Sequence, residues 1–538
     1  MKADLVLKSK AIFNGRDKKV FSGAVAIRGN QILCAGEAAE ELIGADTRVI
    51  DCGDKLVMPA FVDAHTHYFS GAISSSDHMC TEISQSQSEE ECAEMIRQYA
   101  LAHPDEKRIR GMGWFPANWQ DAPLPTKASL DAAVPDRPVY LLAADAHTCW
   151  LNSKALAEAG ITPDMKPKSG SVGVDEEGRM TGLLFEPEAY KPAMDKIMDI
   201  EPEIMKEINR DFIAGLNACG ITSASEMMGD DYDAATYKKY DSIMRLEEDD
   251  ELTLRLHIFG RMDGYTDFTK ALDMQKRYAS EKLRFSGVKG FIDGVTSTFT
   301  GLLLEPYADK PETCGIGVPL ASWEDNKRYV TAANSYGLPV RLHCIADGSV
   351  RMALDLFQAS IEKNGRHGLR NTVEHIETIH PDDIPRFAQL DVIPSMQPYH
   401  LTLDFNEKIR RVGEERCRWE WPHKTILNHG GQLAFGTDYP VVEYNPFPNI
   451  YSAVTRCDDD GNPTGVNPQE CIGLDDTLIA YTSGAARAYS RDDIGVLEEG
   501  KLADVIVVDR NLFAIAPMEI KDAAVEMTIM DGKIVFER

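Results

Sequence analysis

Eight short apolar or β-rich segments, with helical patterns between many of them, constrain this 538-residue chain more than any other feature. They are Ala60–His65, Ile221–Glu226, Leu252–Phe259, Phe285–Ile292, Pro339–Ile345, Asn371–Glu377, Val392–Gln397 and Gln432–Asp438. Helical periodicity fills intervals such as Asp325–Tyr336, Gly348–Asn364 and Pro381–Leu390. Eight strands alternating with helices is the count that a (β/α)8 barrel of the TIM type requires. A doubly wound sheet is the alternative, but no Gly-rich fingerprint follows the first segment. The expected fold class is therefore α/β, with the barrel at residues 58–494.

The two ends of the chain resemble one another. Residues 25–33 place Gly29-Asn30 between two apolar runs, and residues 527–535 do the same around Asp531-Gly532, a strong hairpin signal. Leu502–Asp509 adds a strand of β-branched residues. Residues 1–57 and 495–538 thus read as β structure, each too small to fold alone, and are expected to pair into one small sheet domain. Between the first and second barrel segments lie about 155 residues, far more than a crossover helix needs. This stretch has its own signals. Ser88 to Glu91 forms a capping box opening a helix through Ala102, Val139–Ala144 reads as a buried strand, and Asn152–Glu158 as a short helix closed by Gly160. An inserted subdomain is expected at about 70–215.

Composition narrows the class. With 57 Lys and Arg against 86 Asp and Glu, the formal charge of −29 disfavours nucleic acid and anionic lipid as partners. The longest apolar runs, such as Val139–Ala144, fall far short of the ~20 residues of a membrane span. The opening MKADLVLKSKAIFNG alternates charged and apolar residues, unlike a signal peptide, so a cytoplasmic location is expected. Eleven cysteines without a C-x-x-C pair indicate neither a disulfide framework nor a zinc knuckle.

Chemistry-bearing residues cluster near the carboxyl ends of the barrel segments. The first ends in His65-Thr66-His67, whose imidazoles share a face on an extended chain and can reach one ion. The fourth carries Lys289 among apolar neighbours, the fifth His343, the sixth Glu374-His375 and the eighth Asp438. Parallel barrel strands put their carboxyl ends around one rim, so side chains from five strands can converge. Four histidines and an aspartate offer N and O ligands suited to Zn2+ or a similar divalent ion. Any one of these alone is more often a hydrogen-bonded core residue; the combination in one chain order points to a metal. Cys344 should face away from His343 by strand alternation, and the acidic runs Glu247–Glu251 and Asp458–Asp460 read as solvated loops.

With these residues in view, the chain resembles the amidohydrolase superfamily. The match runs through Pro59 to His67, Val288-Lys289, His343, Glu374-His375 and Gly436-Thr437-Asp438. Ser395 to His400, Thr437 to Val441 and Gly495 to Asp504 are similar to the amidohydrolase-3 branch, which includes N-substituted formamide deformylases. The resemblance extends into the insertion, through Gly111 to Trp114 and His147 to Ser153. It implies a barrel flanked by a β-sandwich from both termini. It also implies two divalent ions, zinc first with Fe, Mn or Co as alternatives: His65, His67 and Asp438 on one, His343 and His375 on the other. Lys289 would bridge them as an N6-carboxylated lysine, because a free ammonium has no lone pair. In the alternative Lys289 pairs with a carboxylate such as Asp293, and one ion sits on His65, His67 and Asp438.

The implied activity is hydrolysis of a non-peptide C–N bond, an N-acyl or N-formyl amide, by a metal-bound hydroxide. Asp438 would move the proton from water to the leaving nitrogen, and His400 would hydrogen-bond the developing oxyanion. Trp114, His147 and Trp150 could wall an apolar substrate group, or else pack within the insertion; Asp293 is a further substrate-side candidate. A cyclic-amide hydrolase or a deaminase is the enzymatic alternative, though a deaminase would leave Lys289 idle. A catalytically silent scaffold would be expected to lack some of the ligands. A small-molecule amide is the expected partner, and a homodimer is the family habit.

Overall fold

The computed structural model describes residues 2–115, 119, 124–144, 148–167, 170–315, 322–403 and 405–538. They form two compact units, one of residues 1–68 with 213–538 and one of residues 69–212.

The first unit holds two sheets of eight strands. One is parallel, in the order β1 (Phe61–Val62), β2 (Ile221–Asp230), β3 (Arg255–Arg261), β4 (Leu283–Phe291), β5 (Val340–Cys344), β6 (Thr372–His375), β7 (Ile393–Met396) and β8 (Ala434–Phe435). The strands are short and mostly buried from end to end, as expected of parallel strands covered on both faces. The sheet curls so that its edges meet. The Ala64 N–H donates to the Phe435 carbonyl at 3.0 Å, and the Asp438 N–H to the His65 carbonyl at 2.7 Å. This approach requires a glycine at 436, where a Cβ would lie 2.4 Å from the His65 backbone nitrogen. Asp63 ties the same seam, accepting from the Thr437 hydroxyl at 2.6 Å and the Thr437 N–H at 3.0 Å. Ala485, Ala486 and Tyr489 pack with Val62, Phe259 and Ile393 of the strands. Helices Trp323–Ser335 and Asp347–Asn364 join β4 to β5 and β5 to β6; Ser322 and Asp325 make a reciprocal cap on the former.

The second sheet draws on both ends of the chain. Leu56–Pro59 runs antiparallel to Val505–Val508 with Val57 opposite Val507, so residues some 450 positions apart share one ladder. The Asp531-Gly532 turn has positive φ at both residues (55° and 74°), the geometry that matches hairpin twist. Alternate residues such as Leu5, Leu7, Val25, Ile27, Val505, Val507, Met527 and Ile529 form one apolar cluster. Neither terminal segment could bury that face alone.

The second unit has a five-stranded sheet ordered Ser171–Val174, Met180–Phe185, Thr148–Leu151, Val139–Ala143 and Ile109–Trp114. Helix Glu89–Ala102 packs with it. The Ser88 hydroxyl accepts from the Glu91 N–H at 3.1 Å, whereas the Glu91 carboxylate accepts from the Gln87 N–H at 2.7 Å instead of closing the box on Ser88. Asn152 caps Ser153–Glu158 through the Ala155 N–H. Among the described residues no helix is long and apolar enough to cross a membrane.

Candidate metal centre

Six of the eight parallel strands deliver their carboxyl ends to one cavity of about 330 Å3. His65 and His67 follow β1, Lys289 lies in β4, His343 in β5, His375 closes β6, His400 follows β7 and Asp438 follows β8; all seven line it. Asp438 stands at the centre. Its Oδ1 is 3.1 Å from His67 Nε2 and 3.4 Å from His65 Nε2, and its Oδ2 lies 3.9 Å from both His375 Nδ1 and His400 Nε2. The His343 and His375 rings are 4.4 Å apart, and those of His65 and His375 4.8 Å. His343 Nε2 faces the Gly294 carbonyl at 3.4 Å.

Backbone strain marks the same place. His375, Ile376 and Asp438 adopt left-handed φ values of 72°, 54° and 63°. Each such residue costs about 1–3 kcal/mol and persists where surrounding structure over-determines it, commonly at functional sites.

The donor chemistry fits a cation. Burial pushes the imidazoles of His65 and His343 down to about 4 and about 3, so both are neutral at pH 7 with a lone pair to offer. His65 Nδ1 is bonded to Glu374 at 2.7 Å, which leaves Nε2 turned toward Asp438. His375 Nδ1 is bonded to the Gln397 side-chain amide oxygen Oε1 at 2.9 Å, and its Nε2 makes no hydrogen bond. The buried His67 Nδ1, Lys289 Nζ, His400 Nε2 and Asp438 Oδ1 also make none. Burial opposes ionisation of Asp438, but the imidazoles of His65 and His67 outweigh it and hold the carboxyl well below its ordinary value. Burial likewise brings Lys289 down to about 8, so its amine loses a proton readily. So many orphaned donor atoms around one carboxylate are costly unless something fills the gap. Two sets, His65–His67–Asp438 and His375–His400–Asp438, each have ligand atoms within 4.8 Å of one another.

Several supporting residues had no role in the sequence reading. Glu374 and Arg341 are both fully buried, with Arg341 Nε 2.5 Å from Glu374 and its NH2 2.8 Å from the Ala64 carbonyl. Burial would raise the Glu374 carboxyl, but Arg341 and His65 hold it well below its usual value. Glu377 lies beside His400 (3.8 Å to Nδ1) and is paired with Lys408, whose ammonium sits 3.9 Å over the Trp421 ring. Glu374 sits next to a recognisable ligand, a faint sequence signal; Arg341, Lys408 and Gln397 carry none.

Asp293 is placed differently from an ion-pair partner of Lys289. It is buried and accepts the N–H groups of Leu302 (3.0 Å), Ile345 (2.9 Å) and Ala346 (3.1 Å), which ties the turns after β4 and β5 together. Burial pushes its carboxyl up to about 7. Trp114 and Trp150 are fully buried in the core of the second unit with Trp119 and Leu141. Their indole N–H groups donate to the Leu141 and Thr126 carbonyls at 3.2 and 2.9 Å. That is the packing alternative for these two aromatics. His147 lies outside the described residues. Cys344 is buried.

Residues 48–536 match the amidohydrolase-3 model, described as the amidohydrolase family. The chain belongs to the amidohydrolase family. This amidohydrolase, a hydrolase by that membership, is 30% identical to Protein LONG AFTER FAR-RED 3 of Arabidopsis thaliana over 99% of its own length and 92% of the relative's. It is 25% identical to an N-substituted formamide deformylase of Arthrobacter pascens, over 96% and 94% of the two chains. Its fold superposes on an uncharacterized metal-dependent hydrolase of Pyrococcus horikoshii with a TM-score of 0.79 at 26% identity, covering 95% and 99%.

Proposed function

We propose that this amidohydrolase is a metal-dependent enzyme that hydrolyses a non-peptide C–N bond in an N-acyl or N-formyl amide of small or medium size. The curled sheet with its helices is read as a (β/α)8 barrel carrying the site at its carboxyl-terminal rim. One observation carries the reading: histidines and a carboxylate from five strand ends meet with Lys289 in one cavity, and His67, His375, His400 and Asp438 each keep a buried donor atom without a hydrogen bond. The kinship with a formamide deformylase supports the choice of bond.

His65, His67 and Asp438 would hold one divalent ion, zinc by preference. His343 and His375 would hold a second, with Lys289 between them as a carbamate. His400 stands beside His375 and Asp438. When bound, such ions supply Lewis acidity to a water and to the amide carbonyl. The remaining steps fall to the chain's own groups. Asp438 accepts the proton of the attacking water and returns it to the nitrogen, which leaves as a neutral amine. His400, with Nε2 at the cavity, donates to the oxygen that gains charge as the carbon becomes tetrahedral. Glu377, 3.8 Å from His400 Nδ1, holds the ring so that Nε2 faces the cavity. Phe291 and Ile345 keep bulk water from the reacting carbon.

The test is metal content per chain by elemental analysis of freshly purified protein, followed by a screen of N-formyl and N-acyl amines. Near two ions per chain with release of free amine supports the proposal. Absence of stoichiometric metal after reconstitution with Zn2+ and bicarbonate overturns it.

A further inference from the structure

Ten large apolar side chains are exposed among the described residues, and three of them line the cavity just described. Val295 (41% exposed) lies after β4, Leu403 (52%) after β7 and Val441 (55%) after β8. They come from three separate loops, so no local sequence pattern explains their meeting at one mouth. Exposed apolar surface gathered at a concave site marks a place where a ligand removes it from water.

The charges of the cavity point the same way. Among the described residues its lining holds two lysines and no arginine. Lys289 is buried at the base among the histidines, with its ammonium 5.1 Å from the Phe291 ring centre. Lys408 is paired with Glu377 and stacked on Trp421. The carboxylates of Glu377 and Asp438 face the same space. A substrate with a second carboxylate, such as an N-acyl amino acid, would therefore meet two anions and a lysine whose charge is already matched. Desolvating a carboxylate without a dedicated cation is costly, whereas an alkyl or aryl group at the mouth covers three apolar side chains that water now touches.

We propose that the substrate is a neutral amide whose apolar substituent lies against Val295, Leu403 and Val441, and that these three side chains select it. The inference rests on the amide-hydrolase reading of the cavity and adds the chemical class of the group beyond the scissile bond.

Three formamides test it with the full-length, zinc-reconstituted protein: N-methylformamide, N-hexylformamide and 6-formamidohexanoate. The last has the length of the hexyl compound but ends in a carboxylate. Apolar contacts in hydrophobic pockets discriminate by about 10–200-fold per methylene. The expected kcat/KM for N-hexylformamide is therefore at least about tenfold above both others. In Val441→Thr, which keeps the β-branched shape, and in Leu403→Gln, the hexyl-to-methyl ratio should fall toward one. Equal kcat/KM for the three compounds, or a preference for the carboxylate, overturns the inference and leaves the amide-hydrolase reading standing. Hydrolysis of none of the three, nor of their N-acetyl counterparts, overturns both.

Discussion

Replacing Glu374 by leucine removes a carboxylate that serves two partners in a fully buried site. Arg341 loses the carboxylate 2.5 Å from its Nε and keeps hydrogen bonds to the Ala64 carbonyl and the Ser395 hydroxyl. His65 loses the acceptor that fixes its Nδ1. Removing one member of a buried ion pair strands the other charge and costs about 3–5 kcal/mol. Loss of the group that orients a metal-binding imidazole lowers metal affinity by about 10–100-fold. The two effects are read separately. Urea denaturation of the metal-free protein gives the first, and competition for Zn2+ with a chelator gives the second. The double replacement Glu374→Leu with Arg341→Met removes both charges, so it should be more stable than Glu374→Leu alone by about 0.5–3 kcal/mol, the range of coupling between touching residues. The metal affinity should stay low in the double variant, because His65 remains without its acceptor. A Glu374→Leu protein that loses less than about 1 kcal/mol, or a double variant no more stable than the single, would refute the ion-pair argument. Unchanged zinc affinity would refute the orienting role.

Lys289→Met should lower metal content by about one ion per chain if the lysine bridges two, read by elemental analysis; an unchanged count refutes the bridge. Glu420 is buried, and burial pushes its carboxyl from 4.5 up to about 7 against the opposing charge of Lys408. Below about pH 4.5 folded and unfolded chains both keep that proton. Between there and about pH 7 only the folded chain keeps it, so ionisation erodes stability as pH rises; above pH 7 the loss is complete. Glu420→Gln cannot ionise, so its stability relative to the unmodified protein should climb with pH through that window by up to about 3 kcal/mol. Urea midpoints at several pH values check this, and a flat difference refutes it. Trp150→Ala should cost about 3–5 kcal/mol by opening the aromatic core of residues 69–212, with KM unmoved; a raised KM at unchanged stability would restore Trp150 as a substrate contact.

Much of the site was legible because strand geometry is local. His65 and His67 share a face by the period of two, and His343, His375 and Asp438 fall where an apolar run ends in a polar residue. Glycine turns and β-branched runs likewise announced the terminal hairpins. The Ser88 cap was legible as a helix start, but the partner of Glu91 was not, since Gln87 and Ser88 offer neighbouring N–H groups and only the chain's path chooses.

What only the tertiary structure decided is non-local. Glu374 reaches His65 across 309 residues, and Arg341 reaches the Ala64 carbonyl across 277. Val295, Leu403 and Val441 share a mouth because the loops after three different strands converge there. Trp114 and Trp150 turn inward because the second unit needs their bulk for its own core. The sequence by itself determined which residues alternate, cap and turn, since those follow from the periods of strand and helix. Which of them meet depends on strand order and on the curl that brings β1 to β8, and both come from burying apolar faces that no single segment can bury alone.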